Sequence, residues 1–301
     1  MRSERDAFLQ ARQRGLGGSD IGAILGISPF KTAVDVFLDK TNPHPKDIQT
    51  ELTRWGQALE PVIAQRFAQD HGMKVIRPET SAQHPQHPWM IAHLDGIIVH
   101  DTPGVLEVKN VNAFGAKAWG NEGSDEVPLP YVAQCAWYMA IKNYDYAVIA
   151  ALFGGNDYRE FRLERDRELE QHLIEKGQAF WFNHVLARCA PEATSSHDLL
   201  QLLKHDNGQS VEASDALFEC YTQRQSRKAQ IKQLEHEIEQ LELQIKTAMG
   251  EAATLTWQGQ TLATWKTQNT RRFDLKAFEA AHPDLSATFR RTCETRVLRL
   301  K

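Results

Sequence analysis

The chain has 301 residues and a formal net charge of -4, with 25% charged and 42% hydrophobic residues. That composition belongs to a globular protein with one large domain, or a core domain and an appendage, and its acidic balance excludes a basic nucleic-acid coat while leaving room for an acidic metal site. No run of eighteen apolar residues is present and the charged start "MRSERDAFLQARQRG" lacks the apolar core of a signal peptide, so neither a membrane span nor a secreted protein is expected. Cys135, Cys189, Cys220 and Cys293 form no CxxC pair, which fits reduced thiols in a cytoplasmic protein and argues against a zinc ribbon or an iron–sulfur cluster.

In "RQRGLGGSDIGAILGISPF" (12–30), Gly17-Gly18 followed by Ser19-Asp20 predicts a helix that opens there, with Ser19 or Asp20 as its N-cap, and ends at Gly26. Bare glycine backbone at a helix start suits a phosphate, with Arg12 and Arg14 close enough to add charge. "TRWGQALEPVIAQRFAQDHG" (53–72) carries Leu59, Ile63 and Phe67 on one helical stripe and stops at Gly72. "MKVIRPET" reads as a strand, and "WMIAHLDGIIV" (89–99) and "GVLEVKNV" (104–111) as two strands joined by the turn "HDTPG". "PYVAQCAWYMAIKN" (130–143) reads as a helix, "DYAVIAALFGG" and "DYREFRLER" as strands around a Gly-Gly-Asn turn, and 166–187 as a long amphipathic helix. The order α–β–β–β–α–β–β–α predicts an α/β layer fold with a mixed sheet over residues 1–205.

The pattern changes after that point, and residues 206–301 read as a C-terminal extension. Ile231, Leu234, Ile238, Leu241, Ile245 and Ala248 form an a/d heptad seam of about three heptads, expected as a coiled-coil helix. "ATLTWQGQTLATWKTQ" (253–268) reads as a hairpin around Gly259, 274–285 as a short helix, and "ETRVLRLK" as a last strand in a basic tail.

Within "GVLEVKNV", Glu107 and Lys109 stand two residues apart and therefore share one face of an otherwise apolar strand. On its own such a pair is most often a surface ion pair. An antiparallel neighbour carrying Asp95 would bring a second carboxylate to the same face. Two carboxylates in low dielectric repel, and a divalent cation removes that penalty. Oxygen ligands suit Mg²⁺ or Mn²⁺, and Lys109 would orient or deprotonate a water for attack on phosphorus. Glu60, at the edge of the 53–72 stripe, is either a solvated glutamate or a third carboxylate for that metal. Gln134 is either a water-facing helix position or a side chain aimed at the nucleophilic water, with Tyr131 near it.

The motifs "GLGGSDIGAILGISPF", "WGQALEP", "HLDGII", "LEVKN" and "PYVAQCAWYM", in this order, resemble the YqaJ-like viral recombinase family, relatives of bacteriophage lambda exonuclease within the PD-(D/E)XK nuclease superfamily. The resemblance covers roughly residues 8–185; "HLD" stands where the superfamily pattern has a proline before the first acid. It implies a Mg²⁺-dependent exonuclease that degrades one strand of linear duplex DNA from its 5′ end and leaves a 3′ overhang for a single-strand annealing partner, with two ions per site and a ring-shaped, typically trimeric homo-oligomer in a bacterial or phage-infected cell. By position it implies that Asp95, Glu107 and the Val108 carbonyl ligate metal, with Glu60 as an accessory carboxylate. Lys109 would activate water, Gln134 would position water or phosphate, and Arg12 and Ser19 would grip the terminal 5′-phosphate. A structure- or site-specific endonuclease of the same fold, and a non-catalytic DNA-end-binding or assembly protein built on the coiled coil, are the alternatives. The arginines of "TRRFDLK" and "FRRTCETRVLRLK" are either phosphate or partner contacts or a solvated face.

Overall fold

The structure, a computed structural model, describes residues 10–43, 50–291 and 296–300. The chain divides into two compact units, Met1–Lys204 and His205–Lys301.

The first unit is built on a five-stranded mixed sheet. Helices α1 (Gly18–Ile24), α2 (Ala33–Thr41) and α3 (Glu51–His71) precede strand β1 (Lys74–Ile76). Strands β2 (Ala82–Gln83) and β3 (Ile91–Ala92) form a small separate ribbon. Then follow β4 (Gly96–Val99), β5 (Gly104–Val111), helix α4 (Leu129–Lys142), β6 (Tyr146–Phe153), β7 (Asp157–Glu164) and α5 (Arg167–Phe180). The sheet order is β1-β4-β5-β6-β7, with β5 and β6 parallel and the other pairs antiparallel. This is the expected α/β layer with helices on both faces of a mixed sheet.

Two expected elements differ. Residues 89–99 do not form one strand: β3 pairs with β2, β4 joins the main sheet, and the chain crosses between them through His93–Asp95. The cause is local. Gly96 lies so close to β1 that an added Cβ would meet Val75 Cγ1 at 2.7 Å, so only a side-chain-free residue lets the chain enter β4 there. The helix expected to run to residue 187 is α-helical to Phe180 and continues as a π-helical turn over Trp181–Leu186.

The sheet's two faces have separate cores. Leu106 and Val108 of β5 point to one face, where they pack with Ile98, Tyr146, Val148 and Ala150 beneath Ile63 and Phe67 of α3. α3 ends where Gly72 takes the left-handed conformation at φ 59°. The opposite face is covered by α4, whose Trp137, Tyr138 and Met139 are buried with Val105, Ala147 and Ile149. Trp137 Nε1 donates to the carbonyls of Leu16 and Ile91, both at 3.2 Å, and so ties the segment before α1 to β3. Val105 and Glu107 share this α4 side because strand residues alternate between faces.

After the short helix α6 (Ser196–Leu202), the second unit opens with α7 (Asp215–Met249), 35 residues long and capped by the Ser214 side chain. A hairpin follows, β8 (Thr254–Trp257) and β9 (Gln260–Thr264), turning through Gln258 and Gly259, both at positive φ as a two-residue hairpin loop requires. The single short helix expected over 274–285 is two, α8 (Leu275–Ala281) and α9 (Pro283–Phe289), because Pro283 cannot continue α8 but suits the first position of a new helix. In the expected last strand, residues 296–300 are not in a strand, and 294, 295 and 301 lie outside the described residues. Among the described residues no helix is long and apolar enough to cross a membrane.

Candidate active site

The antiparallel register of β4 and β5 sets Gly96 opposite Leu106 and brings Asp95 against the middle of β5. The Val108 backbone N–H donates to Asp95 Oδ2 at 2.8 Å. Glu107, 2% exposed, points under α4, where Gln134 Nε2 donates to its Oε1 at 2.7 Å. Lys109, on the same face of β5, is ion-paired with Glu107 and donates to Gln134 Oε1 at 3.2 Å. Gln134 Nε2 also reaches the Tyr138 hydroxyl at 3.2 Å, and Lys109 Nζ lies 4.9 Å from the centre of the Tyr131 ring. The surface-pair reading of Glu107 and the water-facing reading of Gln134 therefore both fall: each is buried against the other.

Glu60, near the middle of α3, is half-buried and paired with Arg77 just beyond β1. It joins the same electrostatic group. Burial and the Asp95 charge push its carboxyl up to about 7, against the pull of Arg77 and Lys109. Glu107 is pushed up to about 8, first by burial and then by Asp95, with Lys109 opposing. Burial also raises Asp95, although Lys109 and the Val108 N–H favour its charge. Burial would lower Lys109, but Glu107 and Asp95 outweigh it and hold the ammonium above its ordinary value. Burial disfavours ionisation of all three carboxyl groups, Asp95 adds to it at Glu60 and Glu107, and Lys109 opposes it, joined by Arg77 at Glu60 and Asp95.

Glu107 Oε2 is buried and has no hydrogen-bond partner. A buried carboxylate oxygen without a partner is costly, and a hard cation taking oxygen ligands would satisfy it. Asp95, Glu107 and the Val108 carbonyl are therefore a donor set that fits a divalent ion, with Glu60 behind Asp95. Among the described residues no three His, Cys, Asp or Glu side chains form a ready-made metal cage. In this set two ligands are side chains, one is backbone, and Lys109 supplies the counter-charge on Glu107.

A second feature adjoins the first. A cavity of about 170 Å³ is lined by Arg12, Ser19, Lys40, His93 and Tyr138 together with Gly17, Gly18 and Asp20. It brings Arg12 and Ser19 together; Arg14 is not among its walls. The N-cap of α1 is Gly17, not Ser19 or Asp20: Asp20 stands at the third helical position and accepts from the Gly17 N–H at 2.9 Å, which leaves Ser19 exposed. Asp20 is 1% exposed and pairs with the buried Lys40 at 2.6 Å, with Arg12 at 4.0 Å. Burial would raise its carboxyl, but Lys40 and Arg12 hold it down at about 2. For Lys40 the balance goes the other way: burial lowers its ammonium despite Asp20. Asp20 has three cations around it, Lys40, Arg12 and Lys31, whereas Lys40 has one anion and cationic neighbours. Lys40 Nζ also donates to the Arg12 carbonyl at 2.8 Å, fixing the backbone that presents Arg12.

Tyr138 joins the two features, lining the cavity and accepting from Gln134. Their spacing depends on Gly18, where an added Cβ would meet Tyr138 Cε1 at 2.7 Å and Gln134 Cγ at 2.9 Å. Sequence reasoning missed Lys40, Arg77 and His93. Lys40 carried a signal, a charge on the α2 face otherwise formed by Val36 and Phe37; Arg77 and His93 carried none.

Residues 7–145 match the family model described as the YqaJ-like viral recombinase domain. The chain is 32% identical over 289 residues to the uncharacterized protein YqaJ of Bacillus subtilis (strain 168), covering 93% of this chain and 89% of that one. Among solved structures, LHK-Exo in complex with dAMP superposes with a TM-score of 0.51 at 18% identity, over 66% of this chain and 98% of that one. LHK-Exo, an alkaline exonuclease from Laribacter hongkongensis, also superposes in a second structure with a TM-score of 0.51 at 18% identity, over 61% and 94% of the respective chains. These likenesses show the fold.

Proposed function

The chain belongs to the YqaJ-like viral recombinase family, and on that premise we propose that it is a Mg²⁺-dependent exonuclease that digests linear duplex DNA from its 5′ ends and leaves 3′ single strands. The observation that carries this reading is the convergence of Asp95, Glu107, Lys109 and Gln134 on one face of β5, around a buried carboxylate oxygen that lacks a partner.

In this reading Asp95, Glu107 and the Val108 carbonyl hold the metal, and Glu60 supports a second ion. The bound ions would lower the pKa of the attacking water and stabilise the leaving oxygen. The chain's own residues do the rest. Val108 fixes Asp95 through its N–H. Gln134 orients Glu107 and, through its amide oxygen, Lys109. An ammonium held above its ordinary pKa donates hydrogen bonds and does not accept a proton, so Lys109 orients the water or the scissile phosphate as long as it is paired with Glu107.

Arg12 and Ser19 grip the terminal 5′-phosphate in the cavity beside the cluster, with Lys40 bracing Arg12 from behind. A cationic pocket for a terminal phosphate, one tyrosine away from the reacting centre, favours an exonuclease over an endonuclease of the same fold. The 3′ strand would pass to an annealing protein, and self-association of the core would keep the enzyme on the duplex. The test is digestion of one linear duplex with 5′-phosphate or 5′-hydroxyl ends, beside its covalently closed circular form, with and without Mg²⁺. Mg²⁺-dependent nucleotide release from the phosphorylated linear form alone is the expected result. Cleavage of the closed circle would point to the endonuclease, and binding without release to an end-binding protein.

A further inference from the structure

Helix α7 is 35 residues long, and Met249 is its one buried residue among those described. Ile231, Leu234, Ile238, Leu241 and Ile245, five consecutive seam positions, are between 43 and 59% exposed. Helices draw most of their stability from packing an apolar face, and an exposed stripe of this size marks an interaction surface. The charges beside the stripe indicate what covers it.

Extending the heptad backward puts Arg224 at a and Cys220 and Arg227 at d, so toward the helix start the register continues with two arginines and a cysteine in place of the apolar stripe. Around the middle of the helix the charges are split: Arg224, Arg227, Lys228 and Lys232 come before it and Glu235, Glu237, Glu239 and Glu242 after it, with Asp215, Glu219 and Lys246 nearer the ends. A parallel pair of such helices would stack Arg224 on Arg224 and Arg227 on Arg227 at the axis, and would set Glu237 of one copy beside Glu242 of the other. An antiparallel pair centred on Ile238 and Leu241 would use only the apolar part and would oppose Glu235 to Glu242. An antiparallel pair centred on the Ile231–Leu234 layer, the midpoint of α7, removes every one of these clashes. It sets Lys228 beside Glu235 of the second copy, and places Arg224 and Arg227 alongside Leu241 and Ile238, among the acidic residues of the other helix. The flanking positions of a coiled coil choose partner and orientation by this complementarity. We infer that α7 is a self-association element that pairs with a second copy of this chain in an antiparallel coiled coil centred on Ile231 and Leu234.

In this register Cys220, which is exposed, faces Ile245 of the second copy. The test uses the full chain with Cys189 and Cys293 changed to serine, treated with a short thiol-to-thiol crosslinker. Ile245→Cys gives covalent dimers, and the additional change Cys220→Ser abolishes them. Glu235→Lys weakens the crosslink and lowers the sedimenting mass, and Lys228→Glu added to it restores both. Crosslinking through Cys220 alone would establish a parallel pair and overturn the inference. So would a sedimenting mass that Ile238→Asp leaves unchanged, which would mean that no second copy covers the seam. Both outcomes are independent of nuclease activity.

Discussion

Gln134 on α4 and Glu107 on β5, 27 residues apart in sequence, are joined by a 2.7 Å hydrogen bond in which the amide donates to the carboxylate. The Gln134 amide oxygen meanwhile accepts from Lys109 at 3.2 Å, so one side chain holds the anion and the cation of the cluster in register. Gln134→Leu therefore loosens both. The account predicts a drop in nucleotide release of roughly a hundredfold, with a melting temperature close to wild type because the leucine keeps the apolar contacts of α4. Steady-state digestion beside a thermal melt checks it.

The raised carboxyl of Glu107 makes the metal-free fold pH-sensitive in a definite direction. A group whose folded pKa of about 8 exceeds its unfolded value keeps its proton longer when folded, so the fold loses stability as pH rises from about 4.5 to about 8. In chelator, the melting temperature of wild type falls over that interval relative to Glu107→Gln. Mg²⁺ raises the melting temperature of wild type more at pH 8 than at pH 6, and has little effect on the variant. Parallel pH profiles for the two proteins in chelator would contradict this assignment.

Asp20 carries the opposite sign. Its folded pKa of about 2 lies below the unfolded value, so its contribution is present above about pH 4 and is lost as pH falls toward 2. At neutral pH, Asp20→Asn leaves Lys40 buried without its anion, and unfolding by denaturant should show a loss of about 3–5 kcal/mol. Asp20→Asn with Lys40→Met recovers part of that loss, because the uncompensated charge goes with the lysine.

Gly18 and Gly56 make a paired test of backbone approach. A Cβ at Gly18 has no room against Tyr138 and Gln134, whereas nothing lies within 4 Å of one at Gly56, on α3. Gly18→Ala is predicted to displace Gln134 and slow digestion, and Gly56→Ala to stabilise the fold by about 0.5–1 kcal/mol without changing the rate.

Arg12 is predicted to discriminate ends rather than drive hydrolysis. Arg12→Ala removes the preference for 5′-phosphate over 5′-hydroxyl ends, lowering the rate on the phosphorylated duplex toward that on the hydroxyl form. Rates on the two substrates, measured side by side, check it.

The parts of this site that could be read from the sequence were those set by local periodicity. Glu107 and Lys109 share a face because strands alternate, and Asp95 comes to them because a short turn joins β4 to β5. Gln134 stood out as the amide in an apolar helix. What could not be read depends on contacts between distant segments. Lys40 stands 20 residues from Asp20, so their buried pairing is not visible locally, and Gly17 becomes the N-cap because Asp20, at the third helical position, accepts from the Gly17 N–H. Propensity describes 89–99 as one apolar strand, and its break at His93 shows only once β3 pairs with β2 and β4 with β1 and β5. Arg77, the counter-ion of Glu60, lies in the stretch expected as a strand but just beyond β1, and becomes meaningful only once β1 lies beside α3.

The central claim is that the group around Glu107 and Lys109 is a hydrolytic centre, and Lys109→Ala tests it most directly. The measurement is the rate of nucleotide release from a 5′-phosphorylated linear duplex in Mg²⁺, with affinity for the same duplex measured in chelator. The account predicts a fall in rate by orders of magnitude with binding largely intact. Digestion by Lys109→Ala at the wild-type rate would contradict it.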